Sequence, residues 1–310
     1  MKKFAMVFPG QGSQSIGMMA GWDDHPAVRD TFAEASDALG DDLWRLVTDG
    51  PADALNLTTN TQPVMLTAGV AAWRAWLAAG GAMPAILAGH SLGEYSALVA
   101  GGALSFSDAV PLVRFRAQVM QEAVPPGVGA MAAILGGDDA AIVEACVEAA
   151  QGEVVEAVNF NSPGQIVIAG HRAAVERAIE AAKARGAKRG MMLPVSAPFH
   201  SSLLKPAAER LAAKLATVAF GAPAIPILHN VDVLEHRMPD EIRVALAQQA
   251  ASPVRWTATV QAIAGRGITD IVEVGPGRVL AGLARKIDAN LKAYALSDGN
   301  GLADAKAALG

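Results

Sequence analysis

Short apolar runs alternate with longer helical patterns through residues 1–124. KFAMVF predicts a strand, QPVMLTAGVAAWRAWLAAGG a long helix ended by Gly80-Gly81, and AILAG a second strand. EYSALVAGG predicts a helix ended by Gly101-Gly102. SDAVPLVRFRAQVMQEA predicts another, with Ser107 as its N-cap. This alternation predicts a mostly parallel sheet covered by helices. After Pro125-Pro126-Gly127 the rhythm changes. VGAMAAIL, DDAAIVEACVEAA, EVVEAVNF, QIVIAG, RAAVERAIEAAKARG and AKRGMMLPV read as strand, helix, strand, strand, helix, strand. That βαββαβ order within about seventy residues is the mark of a ferredoxin-like unit. From about Pro194 the first rhythm returns, with IPILHNV and ITDIVEVG as strands and GPGRVLAGLARKI as a turn opening a helix. The terminal GLADAKAALG is expected to be surface helix or frayed tail. The expected organisation is a large α/β domain, residues 1–124 and 195–310, interrupted by a small inserted domain, residues 125–194.

Composition fits this outline. A chain of 310 residues accommodates about two domains, and 52% hydrophobic against 18% charged residues supports a buried core and argues against disorder. Net charge is −5, and the first sixty residues, with nine acids and four bases, account for all of it. No basic tract points to nucleic acid, and zinc-finger spacings are absent. Cys146 is the only cysteine, which excludes an intramolecular disulfide and argues against a thiolate metal site. The apolar run before Pro9 is too short for a signal-peptide core, and no uncharged run has the length of a membrane span. The expectation is a soluble, cytoplasmic protein that binds neither nucleic acid nor membrane.

One stretch carries distinctive chemistry. In AILAGHSLGEYSALVA, Gly89-His90-Ser91-Leu92-Gly93 lies where a strand gives way to a helix. There a G-x-S-x-G forms a nucleophile elbow, which lifts the serine hydroxyl clear of the sheet and aims the next N–H at developing negative charge. The plainer alternative is a glycine-rich turn whose serine caps a helix. A serine needs a base. Of the six histidines, His90 adjoins Ser91 and points elsewhere on such a turn, while His25 and His236 read as exposed loop residues. His171 starts a helix in the small domain. His200 ends VSAPFH, where the chain re-enters the large domain, a natural position for a base facing a cleft; helix capping is its alternative. FPGQGSQSIGM is a second glycine-rich turn, without the spacing of a phosphate loop, and could present a backbone N–H to an oxyanion or be an ordinary turn. Arg114 and Arg116 sit two apart on an apolar helix, so at most one points inward. An inward guanidinium needs an anion, either within the chain or on a carboxylate-bearing substrate.

Taken together, the segments FPGQGSQ, GHSLGEYSAL, RAQVMQEAVPPGVGAM, NFNSPGQIVIAG, FHSSLLKPA, NVDV, QQAASPVRW and EVGPGRVL resemble, in order and across nearly the whole chain, the malonyl-CoA:acyl carrier protein transacylase family. The resemblance implies an α/β-hydrolase-like large domain with an inserted ferredoxin-like subdomain. It implies Ser91 as the acylated nucleophile and His200 as its base. A main-chain carbonyl, here of Gln249 or its neighbour Gln248, takes the place of a triad carboxylate. Backbone N–H groups of Gln11 and Leu92 would form the oxyanion hole, and Arg116, rather than Arg114, would pair with the malonyl carboxylate. Phe199 before the histidine goes with malonyl over methylmalonyl, because a bulky ring crowds an α-substituent. The implied partners are malonyl-CoA and the phosphopantetheine thiol of acyl carrier protein, with no metal or bound cofactor and a monomeric enzyme. Lys183–Arg189, KARGAKR, holds four bases in seven residues and could dock an acidic carrier or be a solvated helix end. The rival readings are a trans-acting acyltransferase of a polyketide pathway, an acyl-thioester serine hydrolase and a silent carrier-binding module.

Overall fold

The computed structural model describes residues 2–195 and 197–309. Its nine strands are β1 (Phe4–Phe8), β2 (Ile86–Gly89), β3 (Gly129–Leu135), β4 (Val155–Ser162), β5 (Gln165–His171), β6 (Arg189–Met192), β7 (Ile227–Leu228), β8 (Asp270–Val274) and β9 (Lys292–Leu296). Five make a parallel sheet in the order β7-β2-β1-β8-β9. Every residue of β1 is buried, because helices cover both faces. Successive side chains take opposite faces: Phe4, Met6 and Phe8 enter one core, Ala5 and Val7 the other. Phe8 pairs with Gly89, so β1 and β2 end level and their turns emerge side by side at the carboxyl edge of the sheet, where open α/β sheets place their ligands.

The remaining four strands form an antiparallel sheet, β4-β5-β3-β6, with helices Asp139–Ala150 and Arg172–Ala184 against it. Along β3, Ala130, Ala132 and Ile134 pack under those helices, while Met131 turns the other way and joins the main core. Val158 and Val254 tie the two units together, Val254 N donating to Val158 O at 2.8 Å.

Several expectations need correcting. The helix Phe106–Glu122 is capped by Ser105, not Ser107: the Ser105 hydroxyl accepts from Asp108 N at 3.1 Å. IPILHNV contributes only two strand residues, and AKRGMMLPV only four. For the last segment, up to residue 309, the structure selects the surface helix over the frayed tail, docked by one face. Its helix, Gly299–Leu309, buries Ala305 and Leu309 completely. His25 and His236 are half-buried, and His236 Nε2 bonds Asp232 Oδ2 at 2.7 Å.

Glycine is forced where the two turns meet. A Cβ on Gly93 would lie 2.0 Å from the Phe8 carbonyl oxygen, and one on Gly89 would lie 1.9 Å from the Gly93 carbonyl carbon. Backbone on both sides cannot yield. Gly282, exposed within the helix Val279–Ile287, meets nothing within 4 Å. Gly93→Ala should therefore cost about 3 kcal/mol or more in urea unfolding, by overpacking. Gly282→Ala should instead raise stability by about 0.5–1 kcal/mol, by removing backbone freedom from the unfolded chain. Equal tolerance at the two positions would contradict the packing described.

Candidate active site

The turn after β2 is held from several sides. Ser91 has φ +51°, a left-handed conformation that costs a non-glycine residue energy unless its surroundings enforce it. Here Asn230 enforces it: its Oδ1 accepts from Ser91 N at 2.7 Å, and its Nδ2 donates to Gly89 O at 2.6 Å. Asn230 is itself fixed by Glu94, whose Oε2 accepts from Asn230 N at 2.9 Å. The other Glu94 oxygen accepts from His229 Nδ1 at 2.8 Å. All three of these supporting residues are fully buried.

His200 also has a left-handed backbone, φ +64°, and is buried. Its Nε2 lies 2.7 Å from Ser91 Oγ, and its Nδ1 lies 2.8 Å from the main-chain oxygen of Gln249. The second contact sets the tautomer. A carbonyl only accepts, so Nδ1 carries the proton and Nε2 presents its lone pair to the serine hydroxyl. Gln249 ends the helix Pro239–Gln249, and the carbonyls of a last helical turn have no partner within the helix. The negative end of that helix also favours the positive imidazole that forms when Ser91 gives up its proton. Of Gln248 and Gln249, it is Gln249 whose carbonyl meets the ring. Ser196, in the segment leading to His200, lies outside the described residues.

Arg116 completes the cluster, and Arg114 does not. Arg114 faces outward and pairs with Asp41 at 2.8 Å. Arg116 is 1% exposed, with its guanidinium over the Tyr95 ring. Its Nη1 donates to Gln62 Oε1 at 2.8 Å, and its Nη2 donates to Gln249 Oε1 at 2.9 Å and to Ser91 Oγ at 3.2 Å. No carboxylate among the described residues pairs with it directly. Burial and the Arg116 charge push His200 down to about 3, so its imidazole is neutral. Burial likewise lowers His90, whose Nε2 is held by Asn161 Oδ1 at 2.8 Å and whose ring lies against Trp256.

These groups open on a cavity of about 470 Å³. Gln11 and Leu92 are on its wall with Ser91, and Phe199, Met131 and Leu193 supply apolar surface. A Cβ on Gly10 would lie 2.5 Å from the His90 carbonyl oxygen and 3.7 Å from Leu92 N, so the turn carrying Gln11 is packed onto the elbow. No group of three or more His, Cys, Asp or Glu among the described residues is arranged to hold a metal ion. Cys146 is buried away from the site, its thiol pushed up to about 12 by desolvation. In the KARGAKR segment, Lys183 pairs with Glu180 and Arg185 with Glu148, which leaves Lys188 and Arg189 without a carboxylate partner among the described residues.

Residues 5–296 match the acyl transferase domain family. A malonyl CoA-acyl carrier protein transacylase of Salmonella typhimurium is 57% identical over 96% of this chain and 97% of its own length. The chain belongs to the malonyl CoA-acyl carrier protein transacylase family. The Escherichia coli K12 transacylase is 56% identical over 98% of this chain and 99% of its own. Among solved structures, the acyl-carrier-protein S-malonyltransferase of Burkholderia pseudomallei superposes with a TM-score of 0.97 at 60% identity, covering 98% of this chain and 99% of that one. A malonyl-transacylase solved in complex with a type II PKS acyl-carrier protein gives 0.98 at 52% identity, covering 99% and 100%.

Three parts of this cluster carry no signal that the sequence analysis used. Gln62 was seen only as part of a helix. Glu94 and Asn230 lay inside quoted segments, GHSLGEYSAL and NVDV, without a role. The available signal was a carboxylate three residues past the elbow serine, on a helix otherwise free of charge.

The depressed His200 predicts a pH profile. Neutral imidazole is the competent form, so reactivity is lost as pH falls through the folded-state value. The rate at which a phosphonofluoridate labels Ser91 should hold nearly level from about pH 8 down to about pH 5, below the ordinary histidine value. In Arg116→Gln the positive neighbour is gone, and the acid limb should move to higher pH, by only part of the depression because burial is its larger cause. Unfolded His200 takes a proton that the folded form refuses, so acidification from the ordinary histidine range toward about 3 also destabilises the fold. An unchanged acid limb in the variant would remove Arg116 as a cause of the shift.

Proposed function

We propose that the chain transfers a malonyl group from malonyl-CoA to the phosphopantetheine thiol of an acyl carrier protein, through a malonyl ester on Ser91. The observation that carries this reading is the buried Arg116 guanidinium, 3.2 Å from the nucleophile and bonded only to neutral oxygens. A buried cation is costly without an anion, and a dicarboxylic acyl group supplies one in bidentate geometry.

In this mechanism Ser91 Oγ attacks the thioester carbonyl carbon while its proton passes to His200 Nε2. The oxyanion is held by the N–H groups of Gln11 and Leu92, an interaction whose loss typically costs about 3–4 kcal/mol of barrier. The carbon–sulfur bond breaks, coenzyme A leaves with the proton from His200, and malonyl-Ser91 remains. The carrier thiol enters, gives its proton to His200 and attacks the ester. Collapse returns the proton to Ser91 Oγ. Gln249 orients the base throughout by its carbonyl, and Phe199 narrows the space beside the acyl α-carbon. No cofactor takes part. The same reading divides the chain into a catalytic unit, residues 1–124 with 195–310, and an inserted unit, residues 125–194, whose sheet reaches the cavity through Met131. The enzyme acts in the cytoplasm as a monomer. Among the described residues no helix is long and apolar enough to cross a membrane.

Fatty acid synthesis is the process this activity supplies. Service to a polyketide carrier is the second reading, favoured by the 52% identical relative solved with such a carrier. Competition between a fatty acid carrier and a polyketide carrier for one pool of malonyl-enzyme separates the two.

Intact-protein mass after brief mixing with malonyl-CoA should show one malonyl adduct, absent in Ser91→Ala and discharged by pantetheine thiol. Steady release of free malonate without an adduct would indicate a hydrolase instead. Arg116→Ala should slow malonyl loading by about 100-fold, as expected for losing a buried charge pair. It should also raise the fraction of any malonyl-enzyme lost to water, because the carboxylate no longer anchors the acyl group. Unchanged hydrolysis would remove that second role.

A further inference from the structure

The arginine is fully buried, yet the charge that balances it is kept one residue away. Gln249 stands between. Its Oε1 accepts from Arg116 Nη2 at 2.9 Å, and its Nε2 donates to Glu94 Oε2 at 2.9 Å and to Ser91 O at 3.0 Å. This assignment runs one way only. Turning the amide over would set its NH₂ against the guanidinium and its oxygen against the carboxylate, two clashes of like character. Glu94 is fixed in turn by His229 and Asn230 N. The line Glu94–Gln249–Arg116 thus places a carboxylate near enough to support the cation without occupying its N–H groups.

Resting on the transfer reading above, we propose that the Gln249 side chain is a positioning residue that sets acyl specificity. Its amide couples Arg116 to Glu94 while keeping the two from pairing, so the guanidinium is held in place and remains unneutralised for the substrate carboxylate. A guanidinium bond to a carboxylate carries charge on both partners and can be bidentate, whereas one to a serine or amide oxygen carries charge only on the donor. An incoming carboxylate therefore displaces the serine and amide oxygens, whereas a resident carboxylate would resist displacement. This role is separate from that of the Gln249 main-chain carbonyl, which every side-chain variant retains.

Gln249→Glu tests it, because the replacement has the same shape and puts an acceptor of full charge on Arg116. The readout is the ratio of malonyl to acetyl loading of Ser91 within each protein, from which any general loss of activity cancels. The ratio should fall by about 100-fold, the scale of a buried charge pair. A merely structural role would slow both donors together, and an unmoved ratio overturns the proposal. If Gln249→Glu does not fold, Gln249→Met keeps the volume and loses the acceptor; its ratio should fall by about tenfold, and a native ratio again overturns the proposal. A second arm stands apart from transfer. Free malonate, but not propionate, should protect native Ser91 from a phosphonofluoridate, and Gln249→Glu should lose that protection. Failure of the native chain to form malonyl-serine would count against the proposed function, while this protection arm would still decide the relay: equal protection of both proteins overturns it.

Discussion

The site depends on one backbone contact. Gly93 lies against the Phe8 carbonyl so closely that no side chain fits between them. That contact joins the turn after β1 to the turn after β2. It sets the depth of the elbow and brings the Gln11 segment onto the same wall as Leu92. Because β1 and β2 are parallel and end level at Phe8 and Gly89, the contact is a consequence of register. Ser91 and His200, both left-handed, meet at 2.7 Å on the wall of the cavity. Strain of this kind persists only where the surroundings over-determine it, and here Asn230 and the Gln249 carbonyl do so.

Electrostatics then divide the labour. Burial, and after it the charge of the arginine, hold His200 in its neutral form, and a helix-terminal carbonyl fixes which nitrogen bears the proton. The cation that depresses the base is also the group a dicarboxylic substrate would neutralise. Substrate binding and base strength are therefore linked through Arg116: a carboxylate on the guanidinium relieves the repulsion that protonated His200 would feel. The inserted sheet closes the cavity with Met131 from the face of β3 that turns away from its own helices.

Much of the fold was legible because its local signals agreed. Fully buried parallel strands read as continuous apolar runs, as in β1 and β2, and the βαββαβ order of the second sheet followed from strand and helix periods alone. The errors fell where the signal was short or tertiary. IPILHNV predicted a strand of which only two residues pair, as β7, and β9, five residues long, went unread. Ser105 and Ser107 are both reasonable caps, and only the bond to Asp108 N separates them. The last helix looks like an exposed alanine tract until Ala305 and Leu309 are seen to dock.

The sequence by itself determined the elbow, since G-x-S-x-G after an apolar run is a local pattern with a local cause. Through its resemblance to a known family it also named the histidine and the arginine. It could not determine the company these residues keep. Gln62, Glu94, Asn230 and the Gln249 side chain come from four separate segments, and their hydrogen bonds to Arg116, to the elbow and to one another span as many as 158 positions along the chain. A polar residue's neighbours at that range leave no periodicity or spacing in the sequence. Only the packing of helices on a sheet decides which amide faces which charge.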